Sequence, residues 1–172
     1  MSARRILQLG DPVLRDISCP VSSISEAAPI IAELLDTLHE FQRTHGFGRG
    51  ISAVQIGVPQ RIIYLEFERV PYCLVNPAYI QKSEETFRLW DDCFSFPNLL
   101  VYLERSTTVS IRYSDESGVL QTLEASGSLS ELIQHEMDHL DGILAIDRAL
   151  DKNGFCTREE WLRRYRRSAA NC

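Results

Sequence analysis

The strongest chemistry in the sequence lies in His135-Glu136-Met137-Asp138-His139. Two histidines four residues apart stand one helical turn from each other on the same face, so both imidazoles reach a single divalent cation. The carboxylate of Glu136, beside the first of them, is placed to hold a water on that cation and take its proton. A solvated helix with two incidental histidines is the plainer reading. His39 and His45 have no such spacing and read as surface residues.

A catalytic cation usually takes three protein ligands and a water. The continuation H-E-x-x-H-x-x-G-x-x-H fits as far as Gly142 and fails at Ala145. A downstream carboxylate is a second route, with Glu159 and Glu160 available beyond the Asn153-Gly154 break. A ligand from elsewhere is preferred, since those glutamates belong to what reads as a surface helix. Cys93, within Trp90-Asp-Asp-Cys-Phe-Ser-Phe-Pro97, has acid on one side and aromatics on the other. A thiolate suits zinc or iron(II), and coordination keeps it deprotonated. Taken alone, Cys93 reads first as a buried structural cysteine.

The elements that must position these groups follow from periodicity. Ile30, Ile31, Leu34, Leu35, Leu38 and Phe41 recur at helical spacing, which predicts an amphipathic helix over Ala27–Thr44 with Gly46 at its C-cap. Residues 12–24 read as irregular. A Gly-rich passage follows, then short strands over 61–67 and 72–75, the second closed by Asn76-Pro77. Residues 107–113 and 119–125 form a hairpin about Asp115-Glu-Ser-Gly118. The metal-pair helix spans 127–142, with Gly142 placed to stop it. Strands first and the main helix packed on them afterwards give an α+β domain. Residues 1–150 are taken as the catalytic domain and 151–172 as a basic helix or tail.

A chain of 172 residues builds one domain with a proper core. The formal net charge of −6 gives no support to wholesale binding of DNA or an anionic membrane. No apolar run approaches the roughly 20 residues of a membrane-spanning helix. The first residues lack the apolar core of a secretory signal, which points to the cytoplasm. Five cysteines at unrelated spacings make a poor disulfide framework.

Three separated segments resemble the signature motifs of the peptide deformylase family, in the same order. They are Gly48-Arg-Gly50-Ile-Ser-Ala-Val-Gln55, Asp91-Asp-Cys93-Phe-Ser95 and Gln134-His-Glu-Met-Asp-His139. Weaker similarity runs from Ile6 to about Asp147. The resemblance implies Cys93, His135 and His139 as ligands, with water in the fourth position. It implies iron(II), with zinc, nickel or cobalt also able to bind, and an α+β fold of antiparallel strands around the metal helix. Glu136 then acts as the base, and the Gln55 amide and the Phe94 backbone N–H serve an oxyanion. The implied reaction removes the formyl group from an N-formyl-methionyl peptide or another N-formyl compound. A metallopeptidase of another family and a non-catalytic relative are the competing classes; the second would have lost a base or ligand, and none is lost.

The chain departs from the family's motifs at several points. Arg49 stands between Gly48 and Gly50 where an aliphatic residue is common, and Asp91-Asp92 replace Glu-Gly before the cysteine. Aspartate tolerates left-handed backbone, so the loop expected there survives. An arginine usual after the cysteine motif is replaced by Leu100. Ser128, Glu131 and Leu132 fall near the ligand face of the helix, where members hold apolar residues for a methionine side chain. Arg49, Ser128 and Glu131 therefore suggest a more polar pocket. The plainer reading makes Ser128-Leu-Ser-Glu131 a capping box and sends Arg49 into solvent.

Trp161, Leu162 and Tyr165 interleave with Arg158, Arg163, Arg164, Arg166 and Arg167 in the tail. A solvated amphipathic helix is the default, and by resemblance contact with the ribosome is a second role.

Overall fold

The structure, a computed structural model, describes residues 3–169, with side chains to residue 165. Residues 170–172 and the side chains of Arg166 and Arg167 lie outside the described part. The chain runs through a 3-10 turn (Pro12–Arg15), α1 (Ile24–His45), β1 (Gly50–Ser52), a 3-10 turn (Ala53–Ile56), β2 (Ile62–Phe67), β3 (Val70–Lys82), β4 (Thr86–Asp92), β5 (Leu99–Ser106), β6 (Thr108–Ser114), β7 (Leu120–Ser126), α2 (Gly127–Leu140), a 3-10 turn (Ala145–Arg148), β8 (Phe155–Thr157) and α3 (Arg158–Ala169). Five strands form one antiparallel sheet in the order β1-β2-β3-β6-β7, and three form a second in the order β4-β5-β8. The expected α+β class holds.

β2 explains why the large sheet has two covered faces. Ile62 and Tyr64 pack into the cluster of α1 with Ile31, Leu34, Leu38 and Phe41. Ile63 and Leu65 point the other way, into the cluster of α2 with Leu132, Ile133, Met137 and Leu140. A strand buried on both sides reads as a continuous apolar run, and each such side chain contributes about 1.5–3 kcal/mol. A third cluster, with Leu14, Cys93, Phe96, Val101 and Leu103, joins the small sheet to the ligand loop. α2 lies between these clusters, and its whole length from Ser130 to Leu140 is buried.

Two expectations need correction. Asn76-Pro77 does not close β3, which continues to Lys82 through a register shift between Val75 and Ala78. Asn76 takes a left-handed φ of 51°, and its amide bridges the backbone of Val21 at 2.8 and 2.9 Å. A short amide side chain tolerates that conformation and here also ties the chain ahead of α1 to the sheet. Secondly, Asp91 and Asp92 are strand residues, paired with Val101 and Leu100; neither takes the left-handed backbone. The segment after Asp151 is joined to the small sheet, because β8 pairs with β5 through Leu99, Leu100 and Val101.

Asn76→Ala removes both side-chain bonds and leaves an alanine at positive φ, so an unfolding free energy lower by about 2–3 kcal/mol is expected in urea titration. Asn76→Gly is expected to recover about 1 kcal/mol of this, because glycine adopts the conformation freely. Equal losses in the two variants would show that the backbone conformation carries no cost.

Candidate metal centre

α2 carries His135 and His139 one turn apart, and the turn after β4 carries Cys93 towards them. The ligand atoms of these three buried residues all lie within 4.8 Å of one another. Cys93 Sγ stands 3.2 Å from His139 Nε2. His135 donates from Nδ1 to Asp91 Oδ2 at 3.0 Å, which leaves its Nε2 lone pair for a metal. Burial works against a charged His135, yet Asp91 and Cys93 hold its pKa well above the ordinary value. The site thus favours positive charge at its centre, and a thiol with two imidazoles is a fitting donor set for a divalent cation. Burial and the neighbouring His135 push His139 the other way, towards the neutral form that a ligand needs.

Two further residues face the same centre. Glu136 is buried, and burial pushes its carboxyl up to about 6 against the pull of His135 and a hydrogen bond from Ser52. Ser52 Oγ donates to Glu136 Oε2 at 2.6 Å. Gly50 leaves room for Glu136, because a Cβ there would stand 2.8 Å from Glu136 Oε1 and 3.1 Å from Leu132 Cδ1 and would push the carboxylate aside. Gln55 is oriented by its own turn: Oε1 accepts from the Ser52 N–H at 2.9 Å. Its Nε2 consequently points to Ser95 Oγ at 3.3 Å and Cys93 Sγ at 3.7 Å.

A cleft of about 430 Å³ opens over this centre. Gly48, Arg49, Gly50, Gln55, Cys93, Phe94, Glu131, Leu132, His135 and Glu136 line it, together with Phe47, Asp91 and Asp92. At Gly48, φ is 127° and a Cβ would collide with the Phe94 ring at 2.5 Å, so that ring approaches the backbone only over glycine. Phe94 in turn stacks on Phe41 at 3.8 Å. Ser128 departs from expectation: its side chain is exposed and lies outside the lining. The capping box also fails, since Ser126 is the N-cap and Glu131 instead pairs with Arg49 at 2.7 Å. Glu160 is engaged by Arg163 and Arg164, so it supplies no ligand. His39 is paired with Glu66 at 2.8 Å and His45 stacks on Phe41.

Sequence reasoning missed Arg105 and the role of Arg158. Arg105 is buried and bonds both Asp91 and Asp138. Burial alone would raise Asp91, but His135 and Arg105 hold its carboxyl well below the usual range. The signal was the alternation Val101, Leu103, Arg105 on the inward face of β5. Arg158, at the start of α3, bonds Asp92 and the Pro97 carbonyl and lies 3.8 Å over the Phe47 ring. It therefore braces two residues of the cleft.

The sequence model of the family described as Polypeptide deformylase matches residues 3–154. The chain belongs to this family. It is 35% identical over 153 residues to the peptide deformylase of Rhizobium meliloti (strain 1021), covering 86% of this chain and 85% of that protein. Among solved structures, the peptide deformylase of Thermotoga maritima superposes with a TM-score of 0.82 at 31% identity, over 88% of this chain and all of that one. The Synechococcus elongatus enzyme, solved with actinonin, gives 0.83 at 33% identity, over 90% and 82% of the two chains. The family is metal-dependent, and the Cys93, His135 and His139 cluster supplies a fitting site in this member.

Removal of the Asp91 carboxylate tests how far the ligand shell depends on its support. Asp91→Ala is expected to weaken divalent-metal affinity about 10–100-fold in competition with a chromophoric chelator. Unchanged affinity would mean that His135 is oriented by the helix alone.

Proposed function

We propose that the chain is a hydrolase that removes the formyl group from the N-terminal residue of formylated peptides, releasing formate. The observation that carries this reading is the clustering of Cys93, His135 and His139 beneath a cleft that the Glu136 carboxylate and the Gln55 amide also line. Cys93 Sγ and the two imidazoles would hold the cation, iron(II) in the first instance, with zinc, nickel or cobalt as substitutes. When bound, the cation acts as a Lewis acid towards water and the formyl oxygen.

The protein's own groups supply the rest. Glu136 takes a proton from the attacking water as oxygen adds to the formyl carbon. Its elevated pKa suits a carboxylate that must both accept and return a proton. The Gln55 N–H and the Phe94 backbone N–H donate to the oxygen that becomes negative. Because Ser52 already fixes Gln55, that donor needs no reorganisation as charge develops. When the C–N bond breaks, Glu136 passes its proton to the amine. The products are formate and a peptide with a free amino terminus. No helix among the described residues is long and apolar enough to cross a membrane, which is compatible with a cytoplasmic setting.

Formate release from a formyl-methionyl tripeptide by nickel-loaded protein tests the reading. Gln55→Ala is expected to lower kcat about 100-fold or more, and Glu136→Ala to abolish turnover while metal stays bound. Cys93→Ala is expected to lose the metal; retention of metal in that variant, with no formate released by the native chain, would favour a metallopeptidase of different ligation.

The tail carries a separate proposal, contact with ribosomal RNA. Tyr165 packs against both Trp90 and Trp161, and Arg163 and Arg164 lie on the exposed side of α3. Arg163→Glu with Arg164→Glu is preferable to truncation, because Arg158 braces the cleft. The double variant is expected to lose a salt-sensitive association with ribosomes in pelleting assays. Unaltered pelleting of the variant, or none by the native chain, would leave α3 as a solvated helix.

A further inference from the structure

A cleft that reads a formylated residue does so with the walls it has beyond the reacting groups. Here two of those walls carry opposite charges. Arg49, between Gly48 and Gly50, donates to Glu131 Oε2 at 2.7 Å and to the Ser128 carbonyl at 3.4 Å. The Glu131 carboxylate is close to the centre, with a ligand atom within 4.8 Å of those of Asp91 and His135. Its side chain is only 6% exposed, whereas that of Arg49 is 43% exposed. The pair therefore spans from the buried floor of the cleft to its mouth.

The backbone makes this arrangement firm. The Arg49 carbonyl accepts from the Glu66 N–H at 2.7 Å, which pins the residue beside β2. Glu131 sits in the first turns of a fully buried helix stretch. Withdrawing Arg49 would strand a buried carboxylate beside Asp91, and burial with Asp91 already pushes Glu131 up while Arg49 opposes this. The neighbouring charges are spoken for: Asp91 is held by Arg105 and Asp92 by Arg158.

We propose that the Arg49–Glu131 pair determines specificity, and that the preferred formylated residue carries a neutral hydrogen-bonding side chain, an amide or a hydroxyl. Such a group accepts from the free guanidinium N–H groups and donates to the carboxylate without breaking the pair. A cationic side chain has to displace Arg49. An anionic one faces Glu131, Asp91 and Asp92. A thioether or aliphatic chain desolvates two charges and returns no hydrogen bond, leaving Leu132 as its apolar partner. The inference rests on the deformylase reading and concerns only which residue that reaction accepts.

The test compares formyl-Gln-Ala-Ser with formyl-Met-Ala-Ser in kcat/KM, using nickel-loaded wild type and the Arg49→Ile/Glu131→Ile variant. Metal content and melting temperature are checked for each protein. Wild type is expected to favour the glutaminyl peptide about tenfold or more, and the variant to shift the ratio at least tenfold towards methionine. Arg49→Leu/Glu131→Gln, which keeps the shape of the buried side chain and strands no charge, carries the same comparison if the first double variant does not fold. A wild-type preference for methionine, or a ratio unmoved by the substitutions, overturns the inference. Absence of formate from every peptide counts against the reaction itself. In that case calorimetric binding of Gln-Ala-Ser and Met-Ala-Ser decides specificity separately: tighter glutaminyl binding that the variant loses supports the pair's role, and equal binding overturns it.

Discussion

The structure depends on one shared carboxylate. Asp91 accepts from His135 Nδ1 and from Arg105, and Arg105 also bonds Asp138 three residues further along α2. These contacts join β4, β5 and α2 at the point where the ligands must converge. Removing one member of such a buried network costs about 3–5 kcal/mol, because a charge is left without a partner, while an apolar replacement of the whole set is often neutral. The network is thus poorly explained as a source of stability. It is well explained as a device that fixes the imidazole tautomer and hands a metal the nitrogen it requires.

Much of the site follows from confining α2 between two covered surfaces. Leu132, Ile133, Met137 and Leu140 meet the large sheet, while His135, Glu136 and His139 also lie in the interior. Every position from 130 to 140 is consequently buried, and the polar ones each need a partner. Ser52 serves Glu136, Asp91 serves His135, and Gln134 bonds the backbone of Ser106. The end of β1 and the 3-10 turn that Ser52 caps bring Ser52 and Gln55 to the helix in one short segment.

What was legible in the sequence was local. The spacing of Ile31, Leu34, Leu38 and Phe41 is a property of one helix, as is the i, i+4 spacing of the two ligand histidines. The misreadings arose where a partner lies far along the chain. Ser128 and Glu131 have the spacing of a capping box, but Glu131 finds Arg49, eighty-two residues away. Asn76-Pro77 has the composition of a terminator, but Val21 captures the Asn76 amide and the strand goes on. β4 and β5 were hidden because Asp91 and Arg105 stand at buried positions among their apolar ones and pair with each other in the interior.

The same long-range pairing accounts for how the family's chemistry is kept while the surroundings vary. Substituting Asp for Glu at position 91 shortens the carboxylate by one methylene, and β4 still brings it to 3.0 Å from His135 because Asp91 pairs in register with Val101. Asp92 occupies a position where glycine's freedom is not needed, since the backbone there is extended, and Arg158 takes up its charge. Arg49 and Glu131 compensate each other in the same way, because either alone would leave a charge beside the centre. Charge stands in this cleft in matched pairs, so the walls carry it without leaving an unpaired charge beside the reacting groups.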